Sequence, residues 1–240
     1  LAAVIVGALM GLAMAFVTVN LQAVQGISGI GFYLFGLGMS ELLFKMLVGT
    51  VKTVSGFQPI AIPVLSKIPY IGQVFFEQSI MVYGAFLLVP IAWFVLNKTT
   101  LGLKIRAVGE NPEAADSLGV SVARVRYFTV TLGGILSGVA GASMSISLLN
   151  LFQENMTSGL GFIAVALVYF GAWKAWGVLA GALLFSLINA SQLWMKVLEV
   201  PINSELASTL PYILTIIVLA MSASRVRSPS ALTKPFDRGD

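Results

Sequence analysis

Three groups of residues carry the chemistry open to this sequence, and in each it is hydrogen bonding rather than covalent reaction. Asn20, Gln22 and Gln25 lie together with Ser28 beside apolar stretches, and Asn189, Ser191 and Gln192 form a later group. Amides at such positions need partners or water. That makes Asn20, Gln22, Gln25, Asn189 and Gln192 candidates for the lining of a solute path, although the later group can equally bond across helices. The third group is the polar run around Asn111. Histidine and cysteine are both absent, which removes the commonest general base and metal ligand, every thiolate site and any Ser-His-Asp triad. The acids are scattered, so neither a convergent catalytic set nor a metal site is expected.

The run Gly109-Glu110-Asn111-Pro112-Glu113-Ala114-Ala115-Asp116-Ser117-Leu118-Gly119 has a legible local structure. Asn111 is a good N-cap and Pro112 suits the first helical position. Glu113 falls in the first turn, where the helix dipole favours negative charge. Gly119 can adopt the left-handed stop. A two-turn helix over 112–118 is therefore expected, with Ala114, Ala115 and Leu118 on one face. So short a helix is unstable alone. It either packs closely on a partner or lies as a plain amphipathic loop helix at a membrane surface.

The elements that must position these groups are membrane spans. The chain is 58% hydrophobic and 10% charged, with mean hydropathy +0.93, whereas soluble domains carry about 25% charged residues. Apolar runs near the ~20 residues a bilayer requires occur at 1–19, 29–49, 79–97, 127–149 and 207–223. Two shorter, closely spaced ones lie at 159–173 and 177–194. The net charge is +4, and nine of the fourteen basic residues fall in two places. Lys98, Lys104, Arg106, Arg124 and Arg126 occupy the polar stretch 98–126, and Arg225, Arg227, Lys234 and Arg238 the tail 224–240. The positive-inside rule puts both in the cytoplasm. The four spans between them agree with that, and leave 50–78, 150–158 and 195–206 outside. Nucleic-acid binding is not expected, because a basic tail after a membrane helix is a topology signal. The chain begins at Leu1 inside an apolar run without a charged leader, so upstream helices are expected to be missing from it.

Glycine is frequent, at 24 residues, and clusters within spans at 26–38, 133–141 and 159–181. Small residues let membrane helices approach closely. In 20–38 the glycines combine with the polar amides, which suggests a discontinuous segment near a translocation path. Glu41 is an acid within a span, a functional candidate by default, yet Lys45 at i+4 favours a paired structural role. Glu154 and Asn155 read as a solvated loop. Trp93, Trp173, Trp176 and Trp194 sit near span ends, as an aromatic belt would place them.

The stretch from Thr100-Leu101-Gly102-Leu103 to Gly119-Val120 resembles the coupling loop of permease subunits of ATP-binding-cassette importers. The family is the branched-chain amino acid, ribose and nucleoside permease superfamily, and the branch most similar is that of the simple-sugar and nucleoside permeases. Gly56-Phe57-Gln58-Pro59-Ile60 and Ile62-Pro63-Val64-Leu65-Ser66-Lys67-Ile68-Pro69 resemble its external loop. Gly159-Leu160-Gly161-Phe162-Ile163-Ala164-Val165-Ala166 and Phe170-Gly171-Ala172-Trp173 resemble its late helices, and Leu21 to Gly29 its early polar segment. The resemblance covers roughly 7–223. Gln22-Ala23-Val24-Gln25-Gly26 departs from the family's Asn-Gln pair before the glycine, and Lys174 stands near where a small residue or proline is common. Both departures bear on the solute rather than the family.

The resemblance implies an all-α polytopic transmembrane bundle with a short cytoplasmic coupling helix. The permease domain would be 1–223, with the coupling loop at 98–126 and a cytoplasmic basic tail at 224–240. Two permease subunits, identical or paralogous, would form the path across the inner (plasma) membrane of a prokaryote. Residues Gly109, Glu110, Asn111, Pro112, Glu113, Ala114, Ala115, Asp116, Leu118 and Gly119 would dock a separate cytoplasmic ATPase holding the ATP and Mg. This chain, with no phosphate-cradling Gly-x-x-x-x-Gly-Lys-Ser/Thr pattern, would need no cofactor. An extracytoplasmic solute-binding protein would deliver a nucleoside or simple sugar, and alternating access would carry it through. A secondary transporter or channel is the alternative. It would be expected to carry ionisable residues near the midplane, for which Glu41 is the clear candidate.

Overall fold

The computed structural model describes residues 1–51, 53–61, 63, 66, 75–198, 209, 213, 216–217 and 228–237. The expected span 207–223 therefore lies largely outside the described residues, as do Arg225, Arg227 and Arg238 and most of the loop 62–69. Helix α1 (Ala2–Ala15) runs on through a π-helical turn (Phe16–Asn20) and is followed by α2 (Gln25–Leu47). Strands β1 (Ile60–Ala61) and β2 (Glu77–Gln78) precede α3 (Ile80–Lys98), α4 (Thr100–Glu110) and α5 (Pro112–Ser117). Helix α6 (Val122–Ser143) also ends in a π turn (Met144–Leu148), and α7 (Leu160–Phe170) and α8 (Ala175–Val197) follow.

Among the described residues, five helices are long and apolar enough to cross a membrane: Ala2–Asn20, Gln25–Leu47, Ile80–Lys98, Val122–Leu148 and Ala175–Met195. These match the expected spans apart from shifts at their ends. The run 159–173 differs. Its helix α7 has 11 residues and covers about 16 Å of a hydrocarbon layer about 30 Å thick. The even count of four crossings before the tail therefore rests on α7, which is half as long as a span, and on 207–223.

The chain divides into two compact units, the first comprising 1–88, 96–158 and 231–240, the second 89–95 and 159–230. In the first, α1 and α6 pack antiparallel along a seam of glycines spaced four apart. A Cβ on Gly134 would collide with the Gly7 carbonyl oxygen, and one on Gly138 with that of Ala3. A Cβ on Gly11 would stand 2.9 Å from the Thr131 Cα. Backbone thus lies on backbone, the contact that small residues permit in a medium offering helices no hydrophobic drive to associate. Gly133 and Gly141 face open space on the same helix. So do Gly26, Gly29, Gly31 and Gly38 on α2, which is regular throughout. The discontinuity expected over 20–38 is narrower than that. It occupies Leu21–Val24, where Gln22 is left-handed at φ 50°.

The end of this unit remote from α4 and α5 is closed by backbone pairing. Val54 N–H donates to the Asn150 carbonyl at 2.8 Å and Phe57 N–H to that of Ile146 at 3.1 Å. Gly56 is required there, since a Cβ would collide with the Ile146 carbonyl oxygen. Tyr83 OH donates to the Ile60 carbonyl at 3.2 Å and accepts from Gln78 N–H at 3.1 Å, which holds the small β1–β2 ladder against α3. Lys45 Nζ reaches Glu41 at 2.5 Å and Glu154 at 3.8 Å. The paired reading of Glu41 fits this geometry. Glu154 is drawn into the pair rather than simply solvated, and the Phe44 and Phe152 rings meet beside it at 5.1 Å.

In the second unit, α7 and α8 form a hairpin through a turn whose Ala172 and Trp173 are both left-handed, at φ 52° and 55°. Gly171 and Gly177 meet backbone to backbone, and Gly181 lies beneath the Phe170 ring. Trp173 packs edge-on to Tyr169 at 4.8 Å.

Candidate functional site

The buried apolar residues among those described are Ala15, Val108, Ala115, Val122 and Ile163. Three of the five, Val108, Ala115 and Val122, form one cluster beneath the α4–α5 elbow, flanked by Ala107, Val120, Val125 and Phe236. The spans expose their large side chains, as helices solvated by lipid do. The elbow is instead built like a miniature water-soluble core.

Local chemistry shapes it. Thr99 Oγ1 accepts from Gly102 N–H at 3.1 Å and starts α4. Asn111 ends α4 and begins α5. Its N–H donates to the Ala107 carbonyl at 2.9 Å, while its Oδ1 accepts from Ala114 N–H at 3.0 Å. Its extended backbone, φ −146° and ψ 95°, is what a following proline imposes. At the far end Gly119 stands at φ 82°. Val120 N–H donates to the Ala115 carbonyl at 3.0 Å and Gly119 N–H to that of Asp116 at 2.8 Å. That pair of bonds is a Schellman motif, and the Val120–Ala115 contact is its usual apolar partner. Asn111→Ala should cost about 1 kcal/mol, seen as faster hydrogen exchange confined to 112–119.

The expected shared face of Ala114, Ala115 and Leu118 is divided. Ala115 is 3% exposed and turned into the chain's own cluster, whereas Leu118 is 84% exposed and Ala114 is exposed with it. The reason is the cap. Leu118 is the residue at which the helix ends, with ψ 9°, so its side chain leaves the packed face. Glu113, Ser117 and Gly119 are also exposed, and Pro112 and Asp116 partly so. Residues Gly109 and Glu110, at the end of α4, are partly buried and exposed respectively.

Of the five path candidates, the structure brings Asn20 and Gln22 to this elbow. Tyr127 OH donates to Asn20 Oδ1 at 2.5 Å. Gln22 lines a cleft of about 260 Å³ with Asp116, Ser121, Arg126 and Asp237. Both residues therefore sit at the basic end of the α1–α6 pair. Gln25 opens α2 and is half-buried. Asn189 and Gln192 belong to α8 in the second unit, Asn189 exposed and Gln192 buried. Sequence reasoning missed Phe236 and Tyr127. The signal for Phe236 was available, as the single aromatic ring in the tail 224–240.

Residues 1–219 match the model of the family described as "Branched-chain amino acid transport system / permease component". Three curated proteins are similar over nearly the whole chain. One is TsgC13 of Haloferax volcanii, provisionally named a glucose ABC transporter permease protein, 36% identical over 93% of this chain and 76% of its own length. The guanosine ABC transporter permease protein NupQ of Bacillus subtilis is 34% identical over 100% of this chain and 77% of its own. The nucleoside ABC transporter permease protein NupC of Lactococcus lactis is 36% identical over 95% and 73%. No solved structure matches the chain.

Proposed function

Because the chain belongs to the family of permease components of branched-chain amino acid transport systems, we propose that it is the membrane subunit of an ATP-binding-cassette importer for a nucleoside or simple sugar. The named relatives handle guanosine, nucleosides and glucose, and the solute class follows from them. One observation within the chain carries the coupling role. A six-residue helix, capped at both ends and seated on its own buried cluster, presents Leu118 at 84% exposure. An apolar side chain held outward on so rigid a mount is the anchor a protein partner would bury.

The partner is a cytoplasmic ATPase that supplies ATP and Mg, and this chain performs no covalent step. A second permease subunit completes the path, and a solute-binding protein delivers from the other face. The membrane is the inner membrane of a prokaryote, with the basic elbow on the cytoplasmic side. Asn189 and Gln192 offer hydrogen bonds to a polar solute. Asn20, Gln22 and Gln25 act at the elbow end, where movement of α5 would reach the α1–α2 joint.

The test is purification from mild detergent of the chain with its candidate ATPase, followed by uptake of labelled guanosine and glucose into vesicles with and without internal ATP. An ATPase that co-purifies, together with uptake that requires ATP, supports the reading. Uptake that proceeds without ATP and without an ATPase partner would replace it with a secondary transporter or channel.

A further inference from the structure

The tail after the last span was expected to act as a topology signal. The described part of it does more. Ala231 N–H donates to the Gly109 carbonyl at 3.0 Å. That oxygen is in the last turn of α4, where carbonyls lack partners within the helix, so the tail caps α4 from outside. Lys234 N–H returns to the Ala231 carbonyl at 3.2 Å, closing a turn in which Thr233 is left-handed at φ 63°. The turn aims the next residues back at the elbow. Phe236 then packs on the Val108–Ala115–Val122 cluster, and Asp237 joins Gln22 and Asp116 around the cleft.

We propose that this C-terminal segment, Ala231–Asp237, is a positioning element of energy coupling, in which Phe236 clamps α5 onto α4 and α6. The proposal rests on the importer reading above and extends it to residues outside the coupling loop. A helix of six residues has no stability of its own, so α5 keeps its place only through its two caps and the cluster beneath it. Its cluster is small, and the ring of Phe236 is one of four partly buried side chains that pack against it. With the clamp in place, a push on α5 moves α6. With the clamp gone, α5 loosens and the push is lost, and ATP is hydrolysed without transport. Phe236 is thus a positioning residue, with no contact to solute or nucleotide required.

The test uses the full chain assembled with its ATPase and binding protein in vesicles, comparing native, Phe236→Ala and Phe236→Leu. Coupling is read as uptake per ATP hydrolysed. A second readout needs no partner. The chain has no cysteine, so Ala115→Cys can be introduced alone and its reaction with a soluble maleimide timed in membranes. With F236A we expect the ATPase still to co-purify and hydrolyse. Uptake per ATP should fall about tenfold and labelling at 115 rise about tenfold, since local opening sets both. F236L should restore most of each. Unchanged labelling would show that Phe236 does not cover Ala115 and would overturn the proposal. So would faster labelling with unchanged uptake per ATP, or loss of the ATPase from the F236A complex. If F236A does not accumulate in the membrane, Phe236→Val carries the same test with smaller shifts in the same directions. If the native chain has no ATPase partner, the importer reading fails and the coupling role fails with it, while labelling still reports whether the clamp exists.

Discussion

Gly134→Val is expected to strip the protein from the membrane fraction, while Gly133→Ala next to it leaves the yield unchanged. Both residues lie on α6 and both are glycine, so composition and helix propensity do not separate them. What separates them is the partner. A Cβ at 134 would collide with the Gly7 carbonyl and lie 2.7 Å from the Gly11 Cα, whereas nothing lies within 4 Å of one at 133. No rotamer relieves a clash between Cβ and backbone, so the helices must part, and the seam loses its close contacts along its length. Overpacking with backbone displacement costs about 3 kcal/mol or more, a large part of the 5–15 kcal/mol that keeps a typical domain folded. Quantitative membrane immunoblotting of the two variants, with Gly7→Val as a third, checks this. Gly7→Val should resemble Gly134→Val, because the two glycines meet. Normal accumulation of both would mean that α1 and α6 do not touch along this line.

The second large effect divides Ala115 of α5 from Leu118 at its cap. Leu118→Asp should leave the chain abundant in the membrane and reduce ATPase co-purification by about thirtyfold, the equivalent of losing an interface anchor worth 2 kcal/mol. Ala115→Arg should act in the opposite order, lowering the amount of folded chain before any docking can be measured. Leu118 is 84% exposed and Ala115 is 3% exposed. A charge forced into the cluster of Val108 and Val122 has no partner there and costs about 3 kcal/mol or more. Protease resistance of the 98–126 loop in detergent, measured beside co-purification, distinguishes the two. A Leu118→Asp chain that still holds its ATPase at native strength would remove Leu118 from the docking surface.

These contrasts show where the sequence was legible. The α5 helix could be read almost to the residue, because its limits are set by local chemistry. Asn111, Pro112 and Gly119 each act within a few positions of themselves, and the structure has all three in the expected roles. Long apolar runs were legible for the same kind of reason, since a bilayer fixes length. The orientation of α5 was not legible, because which of Ala114, Ala115 and Leu118 turns inward depends on how α4 and α6 fold back around it and on Phe236, which is distant in sequence. The glycines illustrate the same limit. The cluster on α2 drew attention by its density, yet a Cβ added at Gly26, Gly29, Gly31 or Gly38 would meet nothing among the described residues, while Gly7 and Gly11 are decisive and less conspicuous. Periodicity marks a helix face that could be approached but does not name the helix that approaches it. Asn20 and Gln22 read as intramembrane amides because the run before them is apolar. The antiparallel pairing of α1 with α6 brings them to the basic end, beside Tyr127 and Arg126.

The seam between α1 and α6 also constrains where anything can pass. Two helices whose backbones touch at Gly7, Gly11, Gly134 and Gly138 leave no gap for water, let alone a ribose or a hexose. They form a sealed partition, and one that resists modification, because any side chain added to it forces it apart. Surfaces that meet a solute must therefore lie off this seam, on other helices or on the faces of α1 and α6 turned away from it, where Gly133 and Gly141 stand.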